Sequence, residues 1–184
     1  KWHHLKVWKV LEMSKPMIKK GDQFPLFNYL DRKAGEFVKI NLNSEMKGKK
    51  VLIFGLPGAF TPTCSSKQLP GYESLHNKFV ELGVDNIYCT SVNDPFTMNA
   101  WFDINDVQHV RSLPDGNGDL AQSLGMFVSK RNLNFGHRSW RYAILVDGDT
   151  STVIEVFAEP EKRDMADDDS CLLYTSDAAD EVLG

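Results

Sequence analysis

The sequence has no long apolar run, few cysteines and no excess of positive charge. None of its apolar runs approaches the roughly 20 residues that a membrane-spanning helix needs, so we expect no membrane association. A net charge of −4 provides no basic surface for phosphate backbones, so we expect no nucleic-acid partner. Three cysteines are too few for the disulfide framework of a secreted protein, which favours a reducing compartment.

The two ends of the chain differ in character from the rest. Residues 1–12 precede Met13, a natural start, and show neither strand alternation nor a signal peptide, so we interpret them as a non-native leader. Residues 171–184 resemble an in-frame translation of a sequencing adapter, and we interpret them as a non-native tail. Cys171 is therefore excluded from the candidate functional residues. The alternative is a genuine helix around residues 178–183. Residues 13–170 are then expected to form one C-terminally truncated domain. Cytoplasm is the expected location, with an organelle as the alternative.

Short apolar runs between these ends predict a sheet of five strands. The predicted strands are residues 51–56, 87–92, 109–113, 142–146 and 152–158. Apolar spacing predicts helices over residues 64–82, around Met98 and Trp101, and over residues 120–127. Two parallel βα units followed by a hairpin at Asp147-Gly148 are typical of a thioredoxin-like α/β fold, with a central mixed sheet flanked by helices.

The segment 57–65 joins the first predicted strand to a helix and contains Cys64. Open α/β sheets place their ligands at the carboxyl ends of such strands. A cysteine in the first turn of a helix meets unpaired backbone N–H groups and the positive end of the helix dipole, which both favour a thiolate. Cys64 is therefore a candidate nucleophile. The alternative is a buried structural cysteine, since free cysteine is among the most buried residue types.

Pro57, Thr61 and Cys64 match the P-x-x-x-T-x-x-C motif of peroxiredoxins, and the segment 57–65 resembles their type II or type five branch. The resemblance continues through residues 69–72, 91–96 and 138–143, and covers the chain from about residue 20 to about residue 160. It implies a thioredoxin-like fold and the reduction of hydrogen peroxide and alkyl hydroperoxides. The catalytic positions that it implies are Pro57, Thr61, Cys64 and Arg141.

These positions have complementary roles in the reaction that the resemblance implies. The Cys64 thiolate attacks the terminal oxygen of the peroxide and becomes a sulfenic acid. Arg141 stabilises the negative charge that develops on the leaving oxygen. Thr61 orients the sulfur and the peroxide, and Pro57 shields the sulfenic acid. Arg138 is the alternative for the arginine role.

The thiol that reduces the sulfenic acid is left open. Cys89 lies 25 positions after Cys64, a spacing that resembles the resolving cysteine of plant type II relatives. Its place inside an apolar strand instead favours a buried structural thiol. The more favoured route is reduction from outside by glutathione, glutaredoxin or thioredoxin. The resemblance also implies a homodimer that uses surfaces near the segment 93–96. Gln68 is a departure, because many relatives carry histidine there.

Other classes of function fit the sequence less well. A thiol-disulfide oxidoreductase normally carries Cys-x-x-Cys, and here Ser65, Ser66 and Lys67 follow Cys64. The cysteines and histidines show no paired metal-ligand spacing, so neither a metal nor a cofactor is expected. A peroxide sensor that passes oxidation to a partner protein remains an alternative, and a structural or chaperone-like module is disfavoured by the intact motif.

Overall fold

The computed structural model describes residues 15–159 of the chain. The expectations for residues 1–12 and 171–184, with Cys171 among them, lie outside the described residues. So do both ends of the expected domain 13–170. Within the described range, no helix has the length and the apolar character that a bilayer span requires.

The described part of the chain alternates short strands and short helices. The strands are β1 (Asn28–Lys33), β2 (Glu36–Asn41), β3 (Lys50–Gly55), β4 (Asn86–Ser91), β5 (Arg111–Pro114), β6 (Phe127–Ser129), β7 (His137–Ser139), β8 (Tyr142–Asp147) and β9 (Thr152–Ala158). The helices are α1 (Leu42–Met46), α2 (Leu69–Ser74), α3 (His76–Glu81), α4 (Pro95–Ile104) and α5 (Asp119–Ser123). A π-helical turn covers Cys64–Gln68, and a 3₁₀ turn covers Arg131–Leu133.

Five of these strands form the central sheet, in the order β5-β4-β3-β8-β9. Strands β3, β4 and β5 run parallel, β8 runs antiparallel to β3, and β9 runs antiparallel to β8. They are the five strands that the apolar runs predict, and no bound differs from its prediction by more than two residues. The predicted central mixed sheet flanked by helices is therefore confirmed.

The sheet separates two apolar layers. Along β3, Ile53 packs into the first layer, and its neighbours Leu52 and Phe54 pack into the second, because successive side chains of a strand point to opposite faces. Helices α1 and α5 contribute to the first layer, whereas α2, α3 and α4 contribute to the second. Cys64 and Cys89 both belong to the second layer.

The helix predicted over residues 64–82 is wrong as a single element. It consists of the π-helical turn, α2 and α3, with a break at Leu75. Pro70 has no N–H and cannot donate to the carbonyl of Ser66, so the regular α-helical pattern is interrupted there. Instead, the Leu69 N–H donates to the Cys64 carbonyl, five residues back. The interruption lies next to the candidate nucleophile.

The helix predicted over residues 120–127 is too long. Helix α5 ends at Ser123, and Phe127 begins β6. Gly125 ends it by adopting a left-handed φ of 69°. A Cβ at Gly125 would lie 2.3 Å from the carbonyl oxygen of Pro16, so only glycine fits at this position.

Two hairpins that the sequence analysis did not predict complete the fold. Strands β1 and β2 pair as one hairpin, and β6 and β7 pair as the other. Both have mixed polar and apolar side chains, without the continuous apolar runs of the central strands. The β6–β7 hairpin ends at Ser139, two residues before Arg141, and so leads directly to the candidate site.

Glu73 fastens α2 to the segment that precedes β5. Its carboxylate accepts the backbone N–H groups of Gln108 at 3.0 Å, His109 at 2.9 Å and Val110 at 2.8 Å, and it pairs with His109 Nδ1 at 2.7 Å. Burial by itself raises the pKa of Glu73, but these donors outweigh burial and leave the pKa below its usual value. The ionised carboxylate of Glu73 therefore stabilises the fold more than the protonated form does.

Replacing Glu73 with glutamine is expected to lower the free energy of unfolding at pH 7 by about 2 kcal/mol, because the amide carries no charge and accepts fewer hydrogen bonds. The native pKa lies below the unfolded one, so this contribution is present above the unfolded pKa and is lost as the pH falls through the native pKa. Urea unfolding at pH 7 and at pH 3 checks this: the difference from the wild type should shrink at pH 3. Glu81→Gln on the exposed face of α3 is the matched control. A deficit that is equal at both pH values would contradict the electrostatic explanation.

Candidate active site

The loop between β3 and the π-helical turn carries the predicted nucleophile. It leaves the carboxyl end of β3 after Gly55, passes through Pro57, and reaches Cys64 as the first residue of the turn. Cys64 is fully buried, and Pro57 is buried as well. The loop thus lies at the predicted end of the sheet, with its thiol in the apolar layer below the loop.

Thr61 closes this loop on itself. Its hydroxyl donates to the carbonyl of Gly58 at 2.6 Å, and its own carbonyl accepts the N–H of Ser65 at 3.0 Å. With its proton used in this way, the Thr61 oxygen presents lone pairs to the surroundings and can accept from the O–H of a peroxide. Phe60, half exposed, holds a left-handed φ of 64°, a strained conformation that persists only where the surroundings fix it.

Asn93 and Trp101 fix the loop on the two sides of Cys64. The Asn93 Oδ1 accepts the N–H of Ala59 at 3.0 Å, before the cysteine. The indole N–H of Trp101, a fully buried side chain of α4, donates to the Ser65 hydroxyl at 2.8 Å, directly after it. Neither residue was predicted from the sequence to act at the site. The signal that could have found them is their position in and near the segment 91–96, which shares the resemblance.

Arg141 lies at the same end of the sheet. Gly55 of β3 pairs with Tyr142 of β8, so one further step along both strands places Arg141 beside Leu56, just before the loop. The arginine is only 6% exposed, and its Nη1 lies 3.8 Å from the Oε2 of Glu159. This distance makes a loose ion pair rather than a hydrogen bond.

Glu159 holds this arginine in a second way. Its backbone N–H donates to the carbonyl of Arg141 at 3.1 Å, and its carbonyl accepts the indole N–H of Trp140 at 2.8 Å. Glu159 was not predicted from the sequence, because it lies one residue beyond the predicted strand 152–158, past the last pair of the hairpin. Arg141 Nε is buried and finds no acceptor among the described residues. A buried donor without an acceptor is costly and suits a group that binds an incoming oxygen.

Arg138, the alternative arginine, also reaches the loop. Its Nη1 lies 2.9 Å from the position that a Cβ on Gly58 would occupy, and that position is 3.3 Å from the Thr61 Cγ2. The absence of a side chain at Gly58 therefore lets the guanidinium lie against the backbone. The structure brings both arginines to the loop, Arg141 buried beside Leu56 and Arg138 partly exposed beside Gly58.

Cys89 lies in β4, fully buried in the layer that also holds Cys64. Burial raises the pKa of Cys89 well above its ordinary value, and the neighbouring Cys64 adds to the rise. The two described cysteines are free thiols. In this arrangement Cys89 is protonated at neutral pH and is a poor nucleophile. Its role as the resolving thiol stays a prediction that would require local rearrangement.

Gln68 ends the π-helical turn, one helical turn after Cys64. Its side chain is buried, and its Oε1 has no hydrogen-bond partner among the described residues. Over the same residues, no group of three or more histidine, cysteine or acidic side chains is arranged to hold a metal ion. The groups that the described structure places around the loop are the Cys64 thiol, the Thr61 hydroxyl and the guanidinium groups of Arg138 and Arg141.

The protein family described as Redoxin matches residues 19–172 of the chain. Peroxiredoxin y4vD of Sinorhizobium fredii is 50% identical over 114 residues, which are 62% of this chain and 59% of the relative. Peroxiredoxin-2B of Arabidopsis thaliana is 41% identical over 144 residues, which are 78% of this chain and 82% of the relative. The chain spans about three fifths of the length of the first curated relatives that it matches.

Solved structures are similar over nearly their whole length. The reduced Prx3 of Vibrio vulnificus, in complex with hydrogen peroxide, has a TM-score of 0.74 and 32% identity, with 85% of this chain and 98% of that chain covered. Peroxiredoxin 5 of Alvinella pompejana has a TM-score of 0.67 and 33% identity, with 87% and 99% covered. These likenesses confirm the predicted thioredoxin-like fold. The sequence motif, the sheet and these relatives agree, and the chain belongs to the peroxiredoxin family, in its type II or type five branch.

Proposed function

We propose that this chain is a thiol peroxidase that reduces hydrogen peroxide and alkyl hydroperoxides at Cys64. The observation that carries the proposal is the buried Cys64 at the start of a helical turn, with the buried Arg141 and its unpaired Nε at the same end of the sheet. A thiol in that position meets the N–H groups of the turn, and a permanent cation lies where negative charge would develop. The Vibrio relative that was solved with hydrogen peroxide supports this class of substrate.

The proposed reaction begins with the Cys64 thiolate. Its sulfur attacks the terminal oxygen of ROOH, the O–O bond breaks, and the products are the Cys64 sulfenic acid and RO⁻, which takes a proton to become ROH. Arg141 stabilises the leaving oxygen, since a guanidinium donates in a fixed planar geometry. Thr61 accepts from the peroxide O–H and orients it, while Pro57, which lacks an N–H, covers the loop without offering a competing donor.

We further propose that the sulfenic acid is reduced from outside, by glutathione, glutaredoxin or thioredoxin. The support is the state of Cys89, whose burial and raised pKa oppose its attack on Cys64. The two free thiols also agree with a reducing compartment, and we propose the cytoplasm. Fluorescence microscopy of the tagged full-length protein tests this proposed location. Secretion of the protein would contradict it.

A homodimer is proposed from an exposed apolar cluster. Phe37 and Phe96 are 55% and 57% exposed and meet edge to face at 5.7 Å between ring centroids. The Arg32 guanidinium lies about 5 Å from both centroids. Exposed aromatic pairs with an arginine are typical of protein interfaces. Sedimentation equilibrium of the full chain at micromolar concentration tests this, and a monomer mass would contradict it.

The peroxidase proposal is tested by intact-mass spectrometry after one equivalent of hydrogen peroxide, with a thiol-blocking reagent. We expect one added oxygen, or a trapped sulfenic acid, on Cys64, followed by repeated turnover once a thiol reductant is supplied. A single equivalent of peroxide consumed, with no turnover under any reductant, would instead indicate a sensor. If Cys64 in the folded protein reacts no faster than a model thiol, the proposal is wrong.

A further inference from the structure

Arg138 has no task in the oxidation step, yet its guanidinium lies on the reactive loop. Its Nη1 lies 2.9 Å from the position that a Cβ on Gly58 would occupy, and the Thr61 Cγ2 lies 3.3 Å from the same position. The residue is partly exposed, whereas Arg141 is buried. One arginine is therefore enclosed near Leu56, and the other borders the solvent-exposed side of the same loop.

The orientation of Arg138 is fixed from behind. Its Nε donates to the carbonyl of Phe135 at 3.0 Å, and its guanidinium carbon lies 5.6 Å from the centroid of the Phe135 ring. Neither Nη1 nor Nη2 has a hydrogen-bond acceptor among residues 15–159, and no described carboxylate forms an ion pair with them. Two parallel donors held in one plane match the two oxygens of a carboxylate.

The surrounding charge favours an anion. Residues 127–141 contain four cations, Lys130, Arg131, Arg138 and Arg141, and no aspartate or glutamate, in a chain whose net charge is −4. Glu159 faces Arg141 and partly compensates it. Arg138 is thus a partly exposed cation without an acidic partner in the described structure, and it lies beside the reactive loop among other positive charges.

We propose that Arg138 binds the carboxylate of a small molecule that reacts at Cys64. The proposal rests on the proposed peroxidase function and names a feature of its substrates. The carboxylate can come from a thiol reductant, glutathione being such a thiol, or from a hydroperoxide that carries an acid group. In both cases Arg138 binds the carboxylate and so places the reacting sulfur or oxygen at the loop, while Arg138 itself takes no part in bond breaking.

For a thiol, the balanced steps are the following. The thiolate R′S⁻ attacks the Cys64 sulfenic sulfur, an S–S bond forms, the S–O bond breaks, and the oxygen leaves as water after taking a proton. A second R′S⁻ attacks the outer sulfur, which releases R′SSR′ and the Cys64 thiolate. Arg138 acts on the carboxylate of R′, so its effect depends on the charge of the thiol and not on the chemistry at sulfur.

The test compares charged and uncharged reactants. In stopped-flow reduction of the full chain, previously oxidised by one equivalent of hydrogen peroxide, mercaptoacetate carries a carboxylate and 2-mercaptoethanol does not. The measured quantity is the rate constant for mercaptoacetate divided by the rate constant for 2-mercaptoethanol. This ratio is expected to fall about fivefold in Arg138→Gln, because one charge-assisted hydrogen bond to the carboxylate is lost. The ratio should stay at the wild-type value in Arg131→Gln, an exposed arginine of the same hairpin.

Two further measurements give the source of the carboxylate and separate this proposal from the peroxidase function. For the oxidation step, the rate constant of an acid-bearing hydroperoxide is divided by that of tert-butyl hydroperoxide. A fall in Arg138→Gln of this ratio, or of the ratio for the two thiols, supports the carboxylate site. Binding of redox-inert S-methylglutathione, followed by NMR titration, is expected to weaken about fivefold in Arg138→Gln, even if Cys64 does not react with peroxide. If both ratios and the titration are the same in Arg138→Gln as in the wild type, the proposal is overturned. An equal loss of rate with charged and uncharged reactants also overturns it, because that result shows only support of the loop.

Discussion

Cys64→Ser is expected to slow peroxide consumption by at least about a thousandfold, because a serine hydroxyl is not ionised at neutral pH and cannot form a sulfenic acid. The substitution keeps the size of the side chain in a fully buried position, so the fold should be retained. Peroxide consumption with excess dithiothreitol checks the prediction. The melting temperatures of the variant and the wild type should be equal, which shows that the fold is retained.

The matched variant is Cys89→Ala. Both cysteines are fully buried in the same apolar layer, so the pair separates the chemistry of one thiol from packing of the layer. In Cys89→Ala the first equivalent of peroxide should still be consumed at Cys64. If the two variants lose the same fraction of activity, Cys64 is not the dedicated nucleophile and the proposed mechanism fails.

Arg141→Gln is expected to slow the oxidation of Cys64 by hydrogen peroxide about a hundredfold, the usual cost of removing one donor that stabilises a developing negative charge. It should also destabilise the fold, because Glu159 is 4% exposed and loses the cation opposite it. Stopped-flow oxidation and urea unfolding measure the two effects separately.

The double variant Arg141→Gln with Glu159→Gln distinguishes those effects. It leaves no buried charge at this position, so stability should recover towards the wild type, while the oxidation rate stays low. Recovery of both quantities together would show that Arg141 only supports the structure, which contradicts its assignment to the leaving oxygen.

The strands and the nucleophile were predictable from the sequence, because each depends on local patterns. The apolar run before Pro57 suits a strand buried on both faces, and the cysteine follows it within one loop. The family motif added Thr61, the wider resemblance added Arg141, and the structure brings both to the loop around Cys64. These inferences required no knowledge of which distant elements meet.

The features that were missed depend on contacts between distant parts of the chain. Asn93 reaches Ala59 only because β4 lies beside β3. Glu159 meets Arg141 one residue beyond the predicted hairpin of β8 and β9, where the strand pattern no longer shows which side chains face each other. The break in the predicted helix was readable in principle from Pro70, whose missing N–H outweighed the regular apolar spacing around it. Gly125 likewise ends α5 because of a close approach to Pro16, which lies more than 100 positions earlier in the chain.

The interrupted helix after Cys64 sets the extent of local unfolding. In the π-helical turn the Leu69 N–H donates five residues back, to the Cys64 carbonyl, and Pro70 has no N–H to donate to the Ser66 carbonyl, so we expect Cys64–Gln68 to open more readily than the α-helix that follows. Helix α2 is held in place by the hydrogen bonds that Glu73 accepts from residues 108–110, so opening should stop near Leu69. The sulfur could then leave the apolar layer and meet a bulky thiol while the rest of the domain stays folded. Amide hydrogens of Cys64–Gln68 should therefore exchange much faster than those of α2. A reducing partner would then require the opening of five residues rather than of the whole helix.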